Sequence, residues 1–285
     1  MKIPAKLLPL YEDGLIDEVL YQLMSGKEAT VYVVRSGEEI RCAKVYKEAA
    51  QRSFKQAAKY QEGRREKNSR RARAMEKGSK FGRKQVEESW QNAEVDALYR
   101  VARAGVRVPR PYGCFDGVLL MELVTDSEGE VAPRLGEVEM SAQQAREDHA
   151  LMMHYIQLML CAGLVHGDLS EFNVLVDENG PVIIDLPQAV DAAANNNARE
   201  MFDRDVNKIT GYYALFAPEL LHTRYAKEMW ALYKEGELQP ETELTGLFEE
   251  DLAAADVDAV LQEIKAALAE EAARQERLRA AEEPD

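Results

Sequence analysis

Apolar and polar positions follow two different periods along the chain. From residue 15 to 46 the pattern is that of β structure. Ala29 to Arg35 is rich in β-branched and aromatic residues and ends at the Ser36-Gly37 turn, and Ile40 to Tyr46 alternates in the same manner. A helix is predicted from about Lys84 to Ala104, closed by Gly105 at a position that favours a left-handed cap. Val108 to Pro111 reads as extended, because proline disfavours helix at the residue before it. Tyr112 to Phe115 and Val118 to Leu123 then read as two short strands turning at Asp116-Gly117. Beyond Glu128 the period becomes helical. Ser141 to Gln144 resembles a capping box, Ala150 to Val165 is a buried helix, and Val174 to Asp185 is a tight hairpin about Asp177 to Gly180. The rest is predicted helical, including an amphipathic tail from about Ala253 to Glu283 with its stripe at Val257, Val260, Leu261, Ile264 and Leu268. Strands with one helix, then a hairpin, then a helical half predict a two-lobed α+β architecture with a cleft between the lobes.

Composition narrows the picture. A chain of 285 residues is long enough to bury a large core. The formal charge of −15 argues against non-specific nucleic-acid binding by the whole surface. That charge is uneven: Lys47 to Trp90 holds 14 basic and 6 acidic residues, a net of +8 against −23 for the remainder. Such a block suits a mobile arm or docking surface. Cys42, Cys114 and Cys161 are odd in number and widely spaced, as expected of reduced thiols in the cytoplasm. The first 20 residues carry charges and no signal-peptide core, and the 150–165 stretch is too short to span a bilayer. A soluble, cytoplasmic protein without a membrane partner is therefore expected.

The chemistry concentrates in Val165 to Asn173 and in Ile183 to Asp185. An Asp followed five positions later by Asn is the spacing of a protein-kinase catalytic loop, and phosphoryl transfer asks mainly for positioning and charge neutralisation. In that arrangement Asp168 orients the acceptor hydroxyl and takes its proton. Asn173 and Asp185 hold Mg²⁺ through hard oxygen donors, with the intervening hairpin returning Asp185 beside Asn173. Lys44, in Cys42 to Tyr46, has the context of a strand lysine that pairs the α- and β-phosphates of ATP. Glu94 is its best helical partner, with Glu87 and Glu88 as rivals. Ser25 to Thr30, between strands and upstream of Lys44, places Ser25, Gly26, Lys27 and Glu28 where a loop could approach phosphates, although alone it reads as an ordinary hairpin turn. Met121, Glu122 and Val124 fall on a linker that reads as a hinge binding adenine through its backbone, as core strand, or as both.

These residues resemble the RIO-type atypical protein kinases, with a bacterial member expected. The match rests on Ser25 to Ala29, His166 to Asn173, Asp185 to Gln188, and Arg204 to Asn207, within about residues 10–225. The resemblance implies a trimmed kinase fold over residues 1–235, with a small lobe to about 120, a hinge at 121–124 and a helical lobe from 125. It also implies a mobile basic insert at about 47–84, and it leaves residues 236–285 as an acidic helical tail outside the match. It implies a serine protein kinase using ATP and Mg²⁺, with Mn²⁺ as the alternative ion, that phosphorylates itself or other proteins. It further implies ATPase activity through an aspartyl-phosphate on Asp185, a bracing role for Asp205, and a ribosomal or RNA partner reached through the basic insert. The chain departs from the family in lacking a Thr after Ser25 and in placing Leu186 after the metal-loop Asp. Ala217-Pro-Glu219 matches a tripeptide of conventional activation segments, which the family lacks, and is read as coincidence. Two other readings stay open: a small-molecule kinase of the aminoglycoside or choline type, and an ATPase-gated assembly factor with no phosphoprotein product.

Overall fold

The computed structural model describes residues 3–26, 29–47 and 94–248. The chain divides into two compact units, Met1–Leu247 and Phe248–Asp285. The expected tail helix and most of the basic insert lie outside the described residues, as do Lys27, Glu28, Glu87 and Glu88.

The amino-terminal lobe is a five-stranded antiparallel sheet in the order β1-β2-β3-β5-β4. Its strands are β1 (Glu18–Ser25), β2 (Ala29–Ser36), β3 (Glu39–Tyr46), β4 (Pro111–Phe115) and β5 (Val118–Glu122). Strand pleating sorts the side chains of β3 to two faces. Ala43 and Val45 join Leu7, Leu10, Val34 and Leu120 in a core under the short helix α1 (Leu8–Glu12). Cys42, Lys44 and Tyr46 point to the other face, which is the wall of the cleft. Register places Lys44 between Val31 of β2 and Leu119 of β5. The β4–β5 turn has φ of 46° at Asp116 and 78° at Gly117, the doubly left-handed geometry that an Asp-Gly pair accepts and most residues resist.

Residues 94–103 are helical (α2), and Gly105 follows at φ 91°. The carboxy-terminal lobe is built on α3 (Ala142–Cys161), α4 (Ala198–Tyr213) and α5 (Tyr225–Glu235). Ser141 caps α3, its Oγ accepting the Gln144 N–H at 3.1 Å. The reciprocal half of a capping box is missing, because the Gln144 side chain donates to Asp148 instead. The helix expected to reach Val165 stops at Cys161. Gly163, at φ 73°, reverses the chain, and Leu164–Val165 (β6) pairs with Val190–Asp191 (β9). That short strand leads directly into the loop that carries His166 and Asp168. The hairpin β7 (Val174–Asp177) and β8 (Gly180–Ile183) lies where the sequence places it.

One large core unites this lobe with the cleft face of the sheet, from Ala29, Tyr46 and Leu119 through Met152, Leu160 and Ile183 to Phe202 and Trp230. Within it His149 meets Thr210 at 3.0 Å across α3 and α4, and burial pushes the imidazole down to about 4, so it is neutral. Pro218 opens a 3₁₀ turn (Pro218–His222), the helix-start role of an N1 proline. Residues 236–247, grouped with the tail by sequence, pack within the first unit. Leu238 is buried, the Gln157 amide donates to the carbonyls of Gln239 and Thr242, and the Glu228 carboxylate accepts the N–H groups of Thr245 and Gly246. Among the described residues no helix is long and apolar enough to cross a membrane.

Candidate active site

A cleft of about 740 Å³ runs between the sheet and the helical lobe, within the roughly 300–1,000 Å³ of small-molecule sites. Val31 and Ala29 roof it, Met121 to Val124 close its back, and Lys44, Glu94, Asn173 and Asp185 line its polar end.

The polar end is organised around Lys44. Its Nζ donates to Glu94 Oε1 at 2.6 Å and to Asp185 Oδ1 at 2.7 Å. The second Glu94 oxygen accepts the Tyr46 hydroxyl at 2.6 Å, so the 3%-exposed Glu94 has both oxygens satisfied. Burial disfavours the Lys44 ammonium, but the charges of Glu94 and Asp185 outweigh it and hold the lysine above its usual range. Desolvation likewise raises the Asp185 carboxyl, and Lys44, with help from His166 and Arg134, more than reverses it, so Asp185 stays ionised well below neutrality. Asp185 adopts φ 65°, a left-handed conformation that Asp tolerates better than most residues, and its carboxylate remains half exposed to the cleft.

Hydrogen bonds fix the catalytic loop from both sides. The buried Asp205 carboxylate on α4 accepts the N–H groups of Gly167 at 2.7 Å and Leu169 at 3.2 Å. Burial pushes Asp205 up to about 6 against the opposing pull of His166, these N–H groups and Arg204, whose guanidinium donates to the Gly167 carbonyl. His166 Nδ1 accepts the Asp168 N–H at 3.3 Å, and its Nε2 meets the Ile184 carbonyl at 3.1 Å. The Asn173 amide donates to the Asp168 carbonyl at 2.9 Å, while its backbone carbonyl accepts the Ile184 N–H. The hairpin thus returns the chain to Asn173 at Ile184, the residue before Asp185.

Asp168 itself does not line the cleft. It stands at the mouth, 42% exposed, with Lys208 at 3.6 Å and the Gln188 amide at 3.5 Å. Ser25 and Gly26 stand at the other edge. Lys47 donates to the Ser25 hydroxyl at 3.0 Å and the Gly26 carbonyl at 2.6 Å, and the Gly26 N–H closes a turn on Ala29. At the back, the Glu122 carboxylate is clasped by Arg107 at 2.9 and 3.0 Å and accepts the Arg110 N–H. Its backbone N–H goes to Arg110, and the Val124 carbonyl to Ala132. Those groups are already engaged, so the Glu122 side chain belongs to a lobe-bracing network that continues to Asp177.

Sequence reasoning did not find Tyr46, Arg107, Lys208 or the bracing role of Lys47, since none sits in a recognisable spacing. Among the described residues no group of three or more His, Cys, Asp or Glu side chains is placed to hold a metal ion. Asn173 and Asp185 do suit a hard ion that takes only one or two carboxylates plus phosphate oxygens. The Asn173 Nδ2 is spent on Asp168, leaving Oδ1, and the Asp185 carboxylate is open to the cleft.

The family model for the RIO domain matches residues 30–226. The chain is 35% identical over 210 residues to the RIO-type serine/threonine-protein kinase Rio1 of Haloferax volcanii, covering 73% of this chain and 68% of that protein. It is 32% identical over 209 residues to the serine/threonine-protein kinase RIO1 of Homo sapiens, covering 73% of this chain and 35% of the human protein. It is 32% identical over 167 residues to Rio1 of Methanocaldococcus jannaschii, covering 58% and 53%. The chain thus spans about a third of the human protein and about half to two thirds of the archaeal ones.

Proposed function

The chain belongs to the RIO family of serine/threonine protein kinases, and from that premise we propose that it transfers the γ-phosphoryl group of ATP to a serine hydroxyl, on itself or on another protein, with Mg²⁺ as its ion and Mn²⁺ as the alternative. The observation that carries this reading is Lys44 held between Glu94 at 2.6 Å and Asp185 at 2.7 Å on the wall of a nucleotide-sized cleft.

In this reading adenine lies against Met121 to Val124, meeting backbone groups other than those already engaged. Lys44 neutralises the α- and β-phosphates, with Glu94 fixing its direction. Ser25 and Gly26 cover the phosphates, joined by Lys27 and Glu28. Asn173 Oδ1 and the Asp185 carboxylate would hold the divalent ion, which when bound neutralises and orients the phosphates. Asp168 accepts the acceptor hydroxyl's proton as oxygen attacks phosphorus. Asp205 and Arg204 keep the loop's backbone still, which matters because positioning supplies much of the rate in phosphoryl transfer. Residues 1–235 would form the kinase domain.

A second reading has one observation in its favour. The half-exposed Asp185 carboxylate can itself attack the γ-phosphorus, releasing ADP, with water later cleaving the acyl phosphate. That would make the chain an ATPase, and a ribosomal or RNA partner engaged through the basic segment at 47–84 would be its cargo. Labelled ATP offered with the protein alone, with acceptor proteins and with small alcohols separates the readings. Label stable on serine supports the kinase, acid-stable but base- and hydroxylamine-labile label on Asp185 supports the ATPase, and label only on an alcohol would make it a small-molecule kinase.

A further inference from the structure

Beside the catalytic loop lies a second concavity, separate from the nucleotide cleft. Its volume is about 400 Å³, and it is lined by Ser170, Glu171 and Phe172 of the loop and by Lys208, Gly211 and Leu215 at the end of α4. Lys208 and Gly211 share one face of α4, and Leu215 follows in the turn beyond Tyr213. Two large apolar side chains stand open on its rim, Phe172 at 58% and Leu215 at 74% exposure. Lys208 joins the groove to Asp168, 3.6 Å away.

Gly211 makes this groove more than a surface dent. Glycine is among the poorest helix formers, yet it sits in the last turn of α4. Nothing there requires it. Its φ is not left-handed, and a Cβ added at this position would meet no atom within 4 Å. The fold would accept a larger residue, and the open space above Gly211 is the floor of the groove.

We propose that this groove is a substrate-docking site that takes a large apolar side chain of the acceptor protein, close in sequence to the serine presented to Asp168. The inference rests on the kinase reading above. An acceptor segment crossing from Asp168 meets this groove first, because Lys208 and Ser170 to Phe172 border both places. One cation, Lys208, and one anion, Glu171, leave the rim with no net charge, which suits an uncharged side chain. It does not suit a nucleic-acid backbone, whose binding needs clustered cations.

The test uses the full chain and serine peptides carrying Phe, Leu or Ala at each position from four before to four after the serine. The wild-type protein should show a KM roughly tenfold lower when Phe or Leu replaces Ala at one position, equivalent to about 1.4 kcal/mol. Gly211→Leu should fill the floor, erase that preference and leave both the KM for ATP and the rate on the Ala peptide unchanged. Its melting temperature should stay level or rise by roughly 2 °C, since leucine is the better helix former. Leu215→Ser should weaken the preference without erasing it. Equal KM values for apolar and Ala peptides in the wild type, or an undiminished preference in Gly211→Leu, would overturn the docking site while leaving the kinase reading intact. Loss of RNA binding or of self-association in Gly211→Leu, with peptide preference retained, would assign the groove to another occupant and overturn it too. Absence of any phosphotransfer by the wild type, with ATP hydrolysed, would instead overturn the kinase reading from which the inference starts.

Discussion

The inner and outer ends of the cleft are built on different principles. At the inner end Lys44, Glu94, Tyr46 and Asp185 are linked by three bonds of 2.6–2.7 Å, with Glu94 buried and Lys44 nearly so. At the outer end Asp168 is 42% exposed, and its neighbours Lys208 and Gln188 stand at 3.6 and 3.5 Å. The inner end meets the same nucleotide in every turnover and gains from being set in advance. The outer end must admit a protein and cannot be closed beforehand. Only the backbone of the outer end is rigid, through Asp205 and His166. The protein thus fixes the frame that carries Asp168 and leaves its carboxylate open.

Substitutions can break this contrast, and the largest effect is expected at Asp168. Asp168→Ala should lower phosphotransfer by roughly 10³-fold, within the range of a lost general base, and leave ATP affinity and melting temperature nearly unchanged. Equilibrium nucleotide binding beside a rate measurement checks it. At the inner end rate and stability should fall together. Lys44→Met should lower kcat/KM by roughly 10²-fold and also destabilise the chain by about 3 kcal/mol, because it leaves the buried Glu94 charge with only Tyr46. Denaturant titration of this variant is the check, and an unchanged midpoint would contradict the buried pair.

A smaller effect is expected from the brace. Asp205→Asn should lower kcat roughly tenfold, the cost of weakening bonds to a charged acceptor. Its pH signature has a defined sign. Asp205 is pushed from 3.8 up to about 6, so between those values the folded chain binds more protons than the unfolded one. This group's contribution therefore lowers stability as pH rises from about 4 to about 6. The difference in unfolding free energy between wild type and Asp205→Asn should drift by roughly 1–3 kcal/mol across that window and stay flat above it. The smallest effect belongs to Arg107→Gln. It should raise the KM for ATP by about threefold and cost about 1 kcal/mol, since its bonds to Glu122 and Asp177 are partly solvent-screened.

Much of the arrangement was legible from local pattern. The Asp116-Gly117 turn demanded a hairpin, and alternation in Ile40 to Tyr46 placed Lys44 opposite the small core. The β7–β8 hairpin was readable because Asn-Gly closes a turn between apolar runs. The end of α3 was misjudged, because apolar residues continue through Val165 and only the left-handed Gly163 shows where the helix stops. Tyr46, Lys208 and Arg107 were invisible for another reason. Each acts through partners 15 to 70 positions away, and single-chain periodicity carries no record of such pairs. Glu122 reads from the sequence as hinge or strand, and its grip on Arg107 leaves no local signal.

The central claim is that the loosely held carboxylate of Asp168 works on an acceptor serine while Lys44, fixed between Glu94 and Asp185, serves the nucleotide. Phosphosite mapping by mass spectrometry after incubation with Mg²⁺ and ATP tests it most directly, with wild type and Asp168→Ala in parallel. Phosphoserine on the wild type, or on an added acceptor, and its loss in an Asp168→Ala protein that still binds ATP is the predicted result. Phosphoserine at undiminished rate in Asp168→Ala, or phosphate found only on Asp185 in both proteins, would contradict it.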